Sequence, residues 1–364
     1  RDGKGAIYTK SAGNGFDIGS GEYCGTDFTC TELIVDKEKN VVYSIVVAAL
    51  NAEGLKSSYS STGPGIWVSG FGGEDGNNIT YSGFNSARGN KPAMMTVDKS
   101  SCTRGYVQTG VALGSGSNYN EFNSGSNAEN SSCNYVSDFG GTSSAAPTVA
   151  GVVALMLEAN PDLTWRDVKH ILANTSDKID PSRRITLGDD ENGENGIAQY
   201  EWETNSAGYE FHNWYGFGKV NAAAAVASAK EYTANSLGSF VSTGYIGSGE
   251  VNIDFTDGET IATALSVTKP SGSNNTVEFV RVSLQFTHTY PFDVGVRLVS
   301  PDGTEINIMQ PQTNITDTGS ALFDIGVSAL YGESIEGDWI IALSDYYQED
   351  SGSLIQWGIE VYGN

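Results

Sequence analysis

Along the first half of the chain, short apolar runs alternate with glycine-rich polar stretches. AIYTK (6–10), VVYSIVVAAL (41–50) and IWVSGF (66–71) read as strands. VVYSIVVAAL is almost continuously apolar, which a strand needs when a parallel sheet is covered on both faces. SSAAPTVAGVVALMLEANP (143–161) predicts a long helix that stops at Asn160-Pro161. It is apolar on every side, so it is predicted to be buried all round. Thr164-Trp165-Arg166-Asp167 has the pattern of a capping box and opens a second helix running through Leu172. The acidic segment LGDDENGENG (187–196) follows as a loop, and YGFGKVNAAAAVASAKEY (215–232) supplies a turn and a third, alanine-rich helix.

After Tyr232 the helical period is gone. VEFVRVSLQFTHTY, DVGVRLVSP, TEINIM, DWIIALSD and LIQWGIEVYG alternate or are β-branched, and Gly, Asp, Asn or Pro separates them. Ser300-Pro301-Asp302-Gly303-Thr304 reads as a hairpin turn. The prediction is two domains, residues 1–234 built on an α/β parallel sheet and residues 235–364 an all-β jelly roll or sandwich. The length of 364 residues agrees with two.

Charge narrows the possible partners. Twenty Lys and Arg face 44 Asp and Glu, for a formal net charge of −24. Such a surface repels phosphate backbones and anionic membranes, which argues against nucleic-acid binding. No apolar run approaches the roughly 20 residues of a membrane span. The opening RDGKGAIYTK lacks an apolar signal core, so any signal is expected outside this chain. Cys24, Cys30, Cys102 and Cys133 contain no C-x-x-C pair, and the histidines lie far from them in sequence, so a zinc site is not expected. Four cysteines allow three pairings. The favoured one is Cys24–Cys30 with Cys102–Cys133, free buried thiols being the alternative. Two disulfides imply an oxidising compartment, hence a secreted, extracellular or periplasmic protein.

Two segments carry candidate chemistry. Gly141-Thr142-Ser143-Ser144-Ala145-Ala146-Pro147 opens the long helix. A serine there sits among unpaired N–H groups at the positive end of the helix dipole, and those donors can stabilise an oxyanion. The bland alternative is an N-cap serine before a packing helix. Ser11-Ala12-Gly13-Asn14-Gly15 directly follows the first strand, at the carboxyl end where open sheets bind ligands. Asn14 can aim an amide at a developing oxyanion, or it is simply a turn residue.

Taken together, GTSSAAP and SAGNG resemble the subtilisin-like serine proteases. NPDLTWRDVKHIL, YGFGKVNA and the β-rich tail narrow the resemblance to the kexin/furin-like branch, in which a P domain (Homo B) follows the protease domain. HTYPFDVGVRLVSPDGT, EGDWIIALSD and GSLIQWGIEVYG look like that domain's strands. The resemblance implies a fold in which the C-terminal part of a subtilisin-like domain precedes a β-sandwich. It implies that Ser143 is the nucleophile and Asn14 the oxyanion-hole side chain, with Ser11, Ala12 and Gly13 lining the substrate site. Glu22 and Asp27 stand at the offsets from Cys24 where the family places acids that receive a basic substrate side chain.

The resemblance also exposes departures. The family's Asp at a strand end and its His-Gly-Thr helix start have no counterpart in that setting here. His170 falls mid-helix, His212 in a loop and His288 in a tail strand. The chain is therefore expected to be the C-terminal portion of a larger protease, with an N-terminal fragment supplying Asp and His. Protein or peptide substrates, and a propeptide or chaperone, are the implied partners. The family's Tyr-Ser-Glu-x-Cys is Tyr59-Ser60-Ser61-Thr62-Gly63 here, which removes the Glu that helps hold a pocket calcium. Structural Ca2+ elsewhere stays implied, with the 187–196 loop as one candidate. Sequons start at Asn78, Asn130, Asn174, Asn274 and Asn314. The rival reading is a non-catalytic binding or scaffold module. An α/β-hydrolase esterase would need Gly-x-Ser-x-Gly, which Gly-Thr-Ser-Ser-Ala does not supply.

Overall fold

A computed structural model describes every residue except 2, 17–33, 35, 75, 77–91, 110–119, 184, 187–196, 200, 314, 316–321 and 348. Three parallel strands, β1 (Tyr8–Ser11), β2 (Ser44–Leu50) and β3 (Val68–Phe71), form a sheet in the order β1-β2-β3. Its register sets Ser11 beside Val47 and Val47 beside Val68. The nearly unbroken apolar run is the middle strand, and every residue from Ile45 to Leu50 is buried. Parallel neighbours need covered faces, and helix α1 (Thr142–Ala159) supplies one cover. Val149, Val153 and Met156 of α1 share a core cluster with Ile45, Val47 and Ala49.

The expectation of an all-round buried helix is corrected here. One stripe of α1 (Pro147, Gly151, Ala154 and Leu155) is exposed among the described residues, Leu155 at 50%. The sheet covers only one side of a helix, and the apolar stripe opposite has no packing partner among the described residues.

Helix α2 (Trp165–Thr175) begins on the predicted capping box. The Thr164 side chain accepts from the Asp167 N–H, and the Asp167 carboxylate accepts from the Thr164 N–H at 2.7 Å. Helix α3 (Ala222–Glu231) is capped by Asn221, whose side chain accepts from the Ala224 N–H. A two-stranded antiparallel ribbon, β4 (Met94–Val97) and β5 (Tyr135–Phe139), leads into α1. Cys102 and Cys133 form a disulfide beside this ribbon. Cys24 and Cys30 lie outside the described residues.

No α-helix follows α3 among the described residues. Strands β6 (Ile253–Thr256), β8 (Val277–His288), β11 (Phe323–Val327) and β13 (Ser351–Gly363) form one antiparallel sheet, with β7 (Thr260–Val267), β9 (Val294–Val299), β10 (Glu305–Met309) and β12 (Gly337–Asp345) in a second. The predicted hairpin joins β9 to β10. Gly303 has φ 89° there, and the Ser300 N–H donates to the Thr304 carbonyl at 3.0 Å. Fully buried Phe255, Phe286, Trp339 and Trp357 fill the sandwich.

The β-sandwich and the α/β sheet share one hydrophobic cluster. Their seam is polar as well as apolar. Arg166 of α2 grips Glu278 of β8 with Nε and Nη2, and its Nη1 donates to the Gly238 carbonyl at 2.6 Å. Lys169, one turn on, is buried and donates to the Val42 carbonyl at 2.8 Å, its ammonium 3.9 Å from the centre of the Trp67 ring. The Asn40 side chain joins Asp324 and Gly326 at 2.9 Å each, and the Ser328 N–H donates to the Pro64 carbonyl at 2.8 Å.

Candidate active site

Strand β1 ends where the Ala12 N–H donates to the Val47 carbonyl at 2.9 Å, and the chain then turns through Gly13-Asn14-Gly15. This turn is held from two sides. On one side, the Ser61 N–H donates to the Gly13 carbonyl at 2.9 Å and the Gly15 N–H donates to Ser61 Oγ at 3.0 Å. On the other side stands the first residue of α1. Thr142 Oγ1 accepts from the Gly13 N–H at 3.0 Å, and the Thr142 N–H and hydroxyl both donate to Asn14 Oδ1, at 2.9 and 2.8 Å. Two donors on one oxygen decide which way the Asn14 amide faces. Its NH2 group has no partner among the described residues, and Asn14 is exposed.

Gly141 precedes the helix with φ 88°, a conformation that favours glycine, and a Cβ there would come within 3.0 Å of Asn14 Nδ2. The Gly141 N–H donates to the Tyr59 hydroxyl at 2.9 Å, and that hydroxyl donates to the Gly73 carbonyl at 2.7 Å. Tyr59 thus ties the helix start to the exit of β3. The same wall is braced by buried Glu74, which accepts from the Ser58 N–H and hydroxyl at 2.9 and 2.7 Å. Burial raises the Glu74 carboxyl, against the opposing pull of Ser58, Asn51 and Lys56.

Ser143 is the second residue of α1 and is exposed, whereas its neighbours Thr142, Ser144, Ala145 and Ala146 are buried. Neither its hydroxyl nor its N–H has a partner among the described residues. Pro147 lacks the N–H that the Ser143 carbonyl would take as its helical partner. Ser144 turns inward and donates to the Gly141 carbonyl at 2.8 Å. The fold therefore brings Ser143 and Asn14 to one place, through Thr142, from segments 128 residues apart. Free donors, a helix N-terminus and an exposed hydroxyl meet there, which is the equipment for stabilising an oxyanion beside a nucleophile.

Of the other candidates, Ser11 and Gly13 are half-buried beside Asn14, whereas Ala12 is fully buried against Val46, Ala48 and Ile66, which corrects the expectation that its side chain lines the substrate site. Glu22, Asp27 and the 187–196 loop lie outside the described residues. The histidines are engaged elsewhere. His170 Nδ1 meets the Tyr331 hydroxyl at 2.9 Å. His212 is buried, with Nε2 3.1 Å from the Arg183 carbonyl and Nδ1 accepting from the Trp214 N–H, and burial lowers its pKa to about 4. His288 Nε2 lies 3.3 Å from Asp345 in the sandwich. Among the sequon asparagines, Asn130 is buried and donates to the Tyr135 carbonyl at 2.7 Å.

Sequence reasoning missed Thr142, Tyr59 and Lys39. Lys39 Nζ donates to the Ala12 carbonyl at 2.8 Å and pairs with Asp36 at 3.1 Å. Thr142 stood inside the quoted motif, but its grip on Asn14 is a long-range contact with no local signal.

The subtilase family model matches residues 1–218, and the proprotein convertase P-domain model matches residues 277–361. The chain belongs to the subtilase family. Its fold is the subtilase α/β sheet followed by a P-domain β-sandwich. An extracellular serine protease of Aeromonas sobria is 29% identical over 94% of this chain and 55% of its own length. A calcium-dependent protease of Nostoc sp. is 28% identical over 99% of this chain and 45% of its own length. The human proprotein convertase subtilisin/kexin type 6 is 30% identical over 61% of this chain. The solved serine protease of Aeromonas sobria superposes with a TM-score of 0.83 at 27% identity, covering 99% of this chain and 65% of that one. The chain thus spans about half the length of the curated relatives that match nearly all of it.

Proposed function

We propose that this chain is the C-terminal part of a serine endopeptidase in which Ser143 is the nucleophile and Asn14 the oxyanion donor. The observation that carries the reading is the double grip of Thr142 on Asn14 Oδ1, which frees Nδ2 beside an exposed Ser143 at a helix start. Ser143 Oγ gives its proton to a general base and bonds to the peptide carbonyl carbon. The carbonyl oxygen becomes an oxyanion facing Asn14 Nδ2 and the Ser143 N–H. The C–N bond breaks, the amine leaves with that proton, and water cleaves the acyl ester to a carboxylic acid.

The base and its supporting Asp come from an N-terminal segment of the whole protein. Support lies in the exposed apolar stripe of α1 and in Tyr8, 62% exposed on β1, a strand paired on one side only among the described residues. Stripes of this kind call for a cover. Preference for a basic side chain rests on Glu22 and Asp27, and the boundary between the domains on residues 234 and 235. An extracellular location and a chaperone partner follow from relatives, one named extracellular and one solved in complex with a chaperone.

Calcium as a structural ion of the whole protein rests on relatives named calcium-dependent. The residues beneath the Asn14 turn do not fit it. Ser61 Oγ is taken by the Gly15 N–H and the adjacent side chain is a lysine ammonium. Among the described residues no group of three or more His, Cys, Asp or Glu gathers as a metal site.

Full-length protein treated with a fluorophosphonate should be labelled at Ser143 alone, and Ser143→Ala should abolish both labelling and peptide hydrolysis. Hydrolysis that survives Ser143→Ala would overturn the reading.

A further inference from the structure

The turn that carries Asn14 has an underside as well as a face. Gly13 is closely approached there, since a Cβ on it would stand 2.9 Å from Lys39 Nζ and 3.0 Å from Ser61 Oγ. Gly13 has φ 115°, a backbone conformation that favours glycine, and a larger residue would in addition displace the Lys39 ammonium. Lys39 reaches this spot from a short 3-10 turn, Lys37–Lys39, whose capping residue is Asp36. Its side chain is 12% exposed. A lysine stem that could lie in solvent is instead ordered against the turn, at a cost in side-chain entropy that its contacts must offset. Those contacts are the Ala12 carbonyl at 2.8 Å and the Asp36 carboxylate at 3.1 Å.

We propose that Lys39 is a positioning residue for the candidate active site, its ammonium occupying the underside of the Asn14 turn as a covalently built-in cation. This rests on the protease reading and deepens it. The ammonium fixes the Ala12 carbonyl while Ser61 fixes Gly13 and Gly15, so Asn14 meets Thr142 in one orientation. A charge carried by a side chain also makes metal occupancy of this spot unnecessary, in keeping with the serine at position 61. Burial opposes ionisation of Asp36, but the hydrogen bond and charge of Lys39 hold its carboxyl below the ordinary range.

The test uses full-length protein carrying Lys39→Met, Lys39→Arg or Asp36→Asn, assayed for kcat, KM, melting temperature and amide exchange at Gly13 and Gly15, each with added calcium or chelator. Lys39→Met is expected to lower kcat roughly 10-fold or more, since small misplacements of reacting groups are costly, with KM within about twofold. Exchange at Gly13 and Gly15 should quicken, calcium should not restore either readout, and Lys39→Arg should recover most of kcat. Should Lys39→Met fail to fold, Asp36→Asn is expected to shift kcat and exchange the same way by a smaller factor. Unchanged kcat and exchange in Lys39→Met, or recovery on adding calcium, overturns the proposal. If the unsubstituted protein neither hydrolyses peptides nor takes fluorophosphonate, the protease reading fails, and exchange at Gly13 and Gly15 alone decides for or against the Lys39 clamp.

Discussion

The candidate active site and the seam between the two sheets use the same materials to opposite ends. At the site, hydrogen bonds converge from below on Asn14 and Gly141 and leave the outward donors unspent. Asn14 Nδ2 and the Ser143 N–H face a side open among the described residues. At the seam, Arg166, Glu278 and Lys169 are buried, and Glu278 accepts both from Arg166 and from Asn364 Nδ2 at 2.9 Å. A site needs unmet capacity held in rigid surroundings, whereas a seam needs every buried charge answered. Function and cohesion are thus separable here, and substitutions should sort accordingly.

The largest effect expected is at the seam. Arg166→Ala strands the Glu278 carboxylate in a dry interface and should cost about 3–5 kcal/mol in denaturant unfolding, because breaking one side of a buried pair leaves an unanswered charge. Replacing both partners with apolar residues should cost far less. Equal losses for the single and double variants would blur the contrast.

Next comes Asn14→Ala, which should lower kcat by about 10²–10³ while costing only about 1 kcal/mol in stability for the two hydrogen bonds from Thr142 that it loses. A full loss of stability alongside kcat would make Asn14 a structural residue instead.

Lys169 gives a gentler, pH-dependent signature. Burial, against the pull of Glu278, lowers its pKa from 10.5 to about 7. Lining the same small cavity are Arg166 on its own helix, and Glu278 and Tyr331 from the sandwich. Between pH 7 and 10.5 the folded chain binds fewer protons at this site than the unfolded chain. Stability therefore rises with pH across that window by up to about 1.4 kcal/mol per unit, and levels off below it. Lys169→Met should flatten this slope, and identical slopes in the two proteins would sink the assignment.

The smallest effect belongs to Thr142→Val. It leaves the Gly13 N–H without its acceptor and removes one donor to Asn14, for a loss of about 1 kcal/mol in stability and roughly 10-fold in kcat. An unaltered kcat would show that the Thr142 N–H alone suffices to orient Asn14.

Much of this layout was legible along the chain because the signals were local. The run at 41–50 announced a strand covered on both faces, Thr164 and Asp167 announced a cap, and Ser300 to Thr304 announced a hairpin. Ser143 and Asn14 were legible through the motifs that frame them. The rest required three dimensions. The apolar run of α1, ending at Asn160-Pro161, told its length but not that one apolar stripe would lie open, since a helix cannot reveal which neighbours are present. Strand β7 alternates exposed and half-buried positions, and its small residues made a weak signal. Lys39 sits in an ordinary charged stretch, DKEK, whose usual meaning is a solvated surface. Only the fold brings its ammonium under Gly13.

The disulfide between Cys102 and Cys133 closes a span of 31 residues next to the ribbon that feeds Ser143. Any backbone cut inside that span would leave the flanking pieces joined. In a preparation able to digest itself, such nicks would pass unnoticed on a non-reducing gel and surface as two fragments once a thiol is added. The bond would therefore act as a clamp, keeping the strand that enters α1 attached to the preceding chain after a cut between the two cysteines.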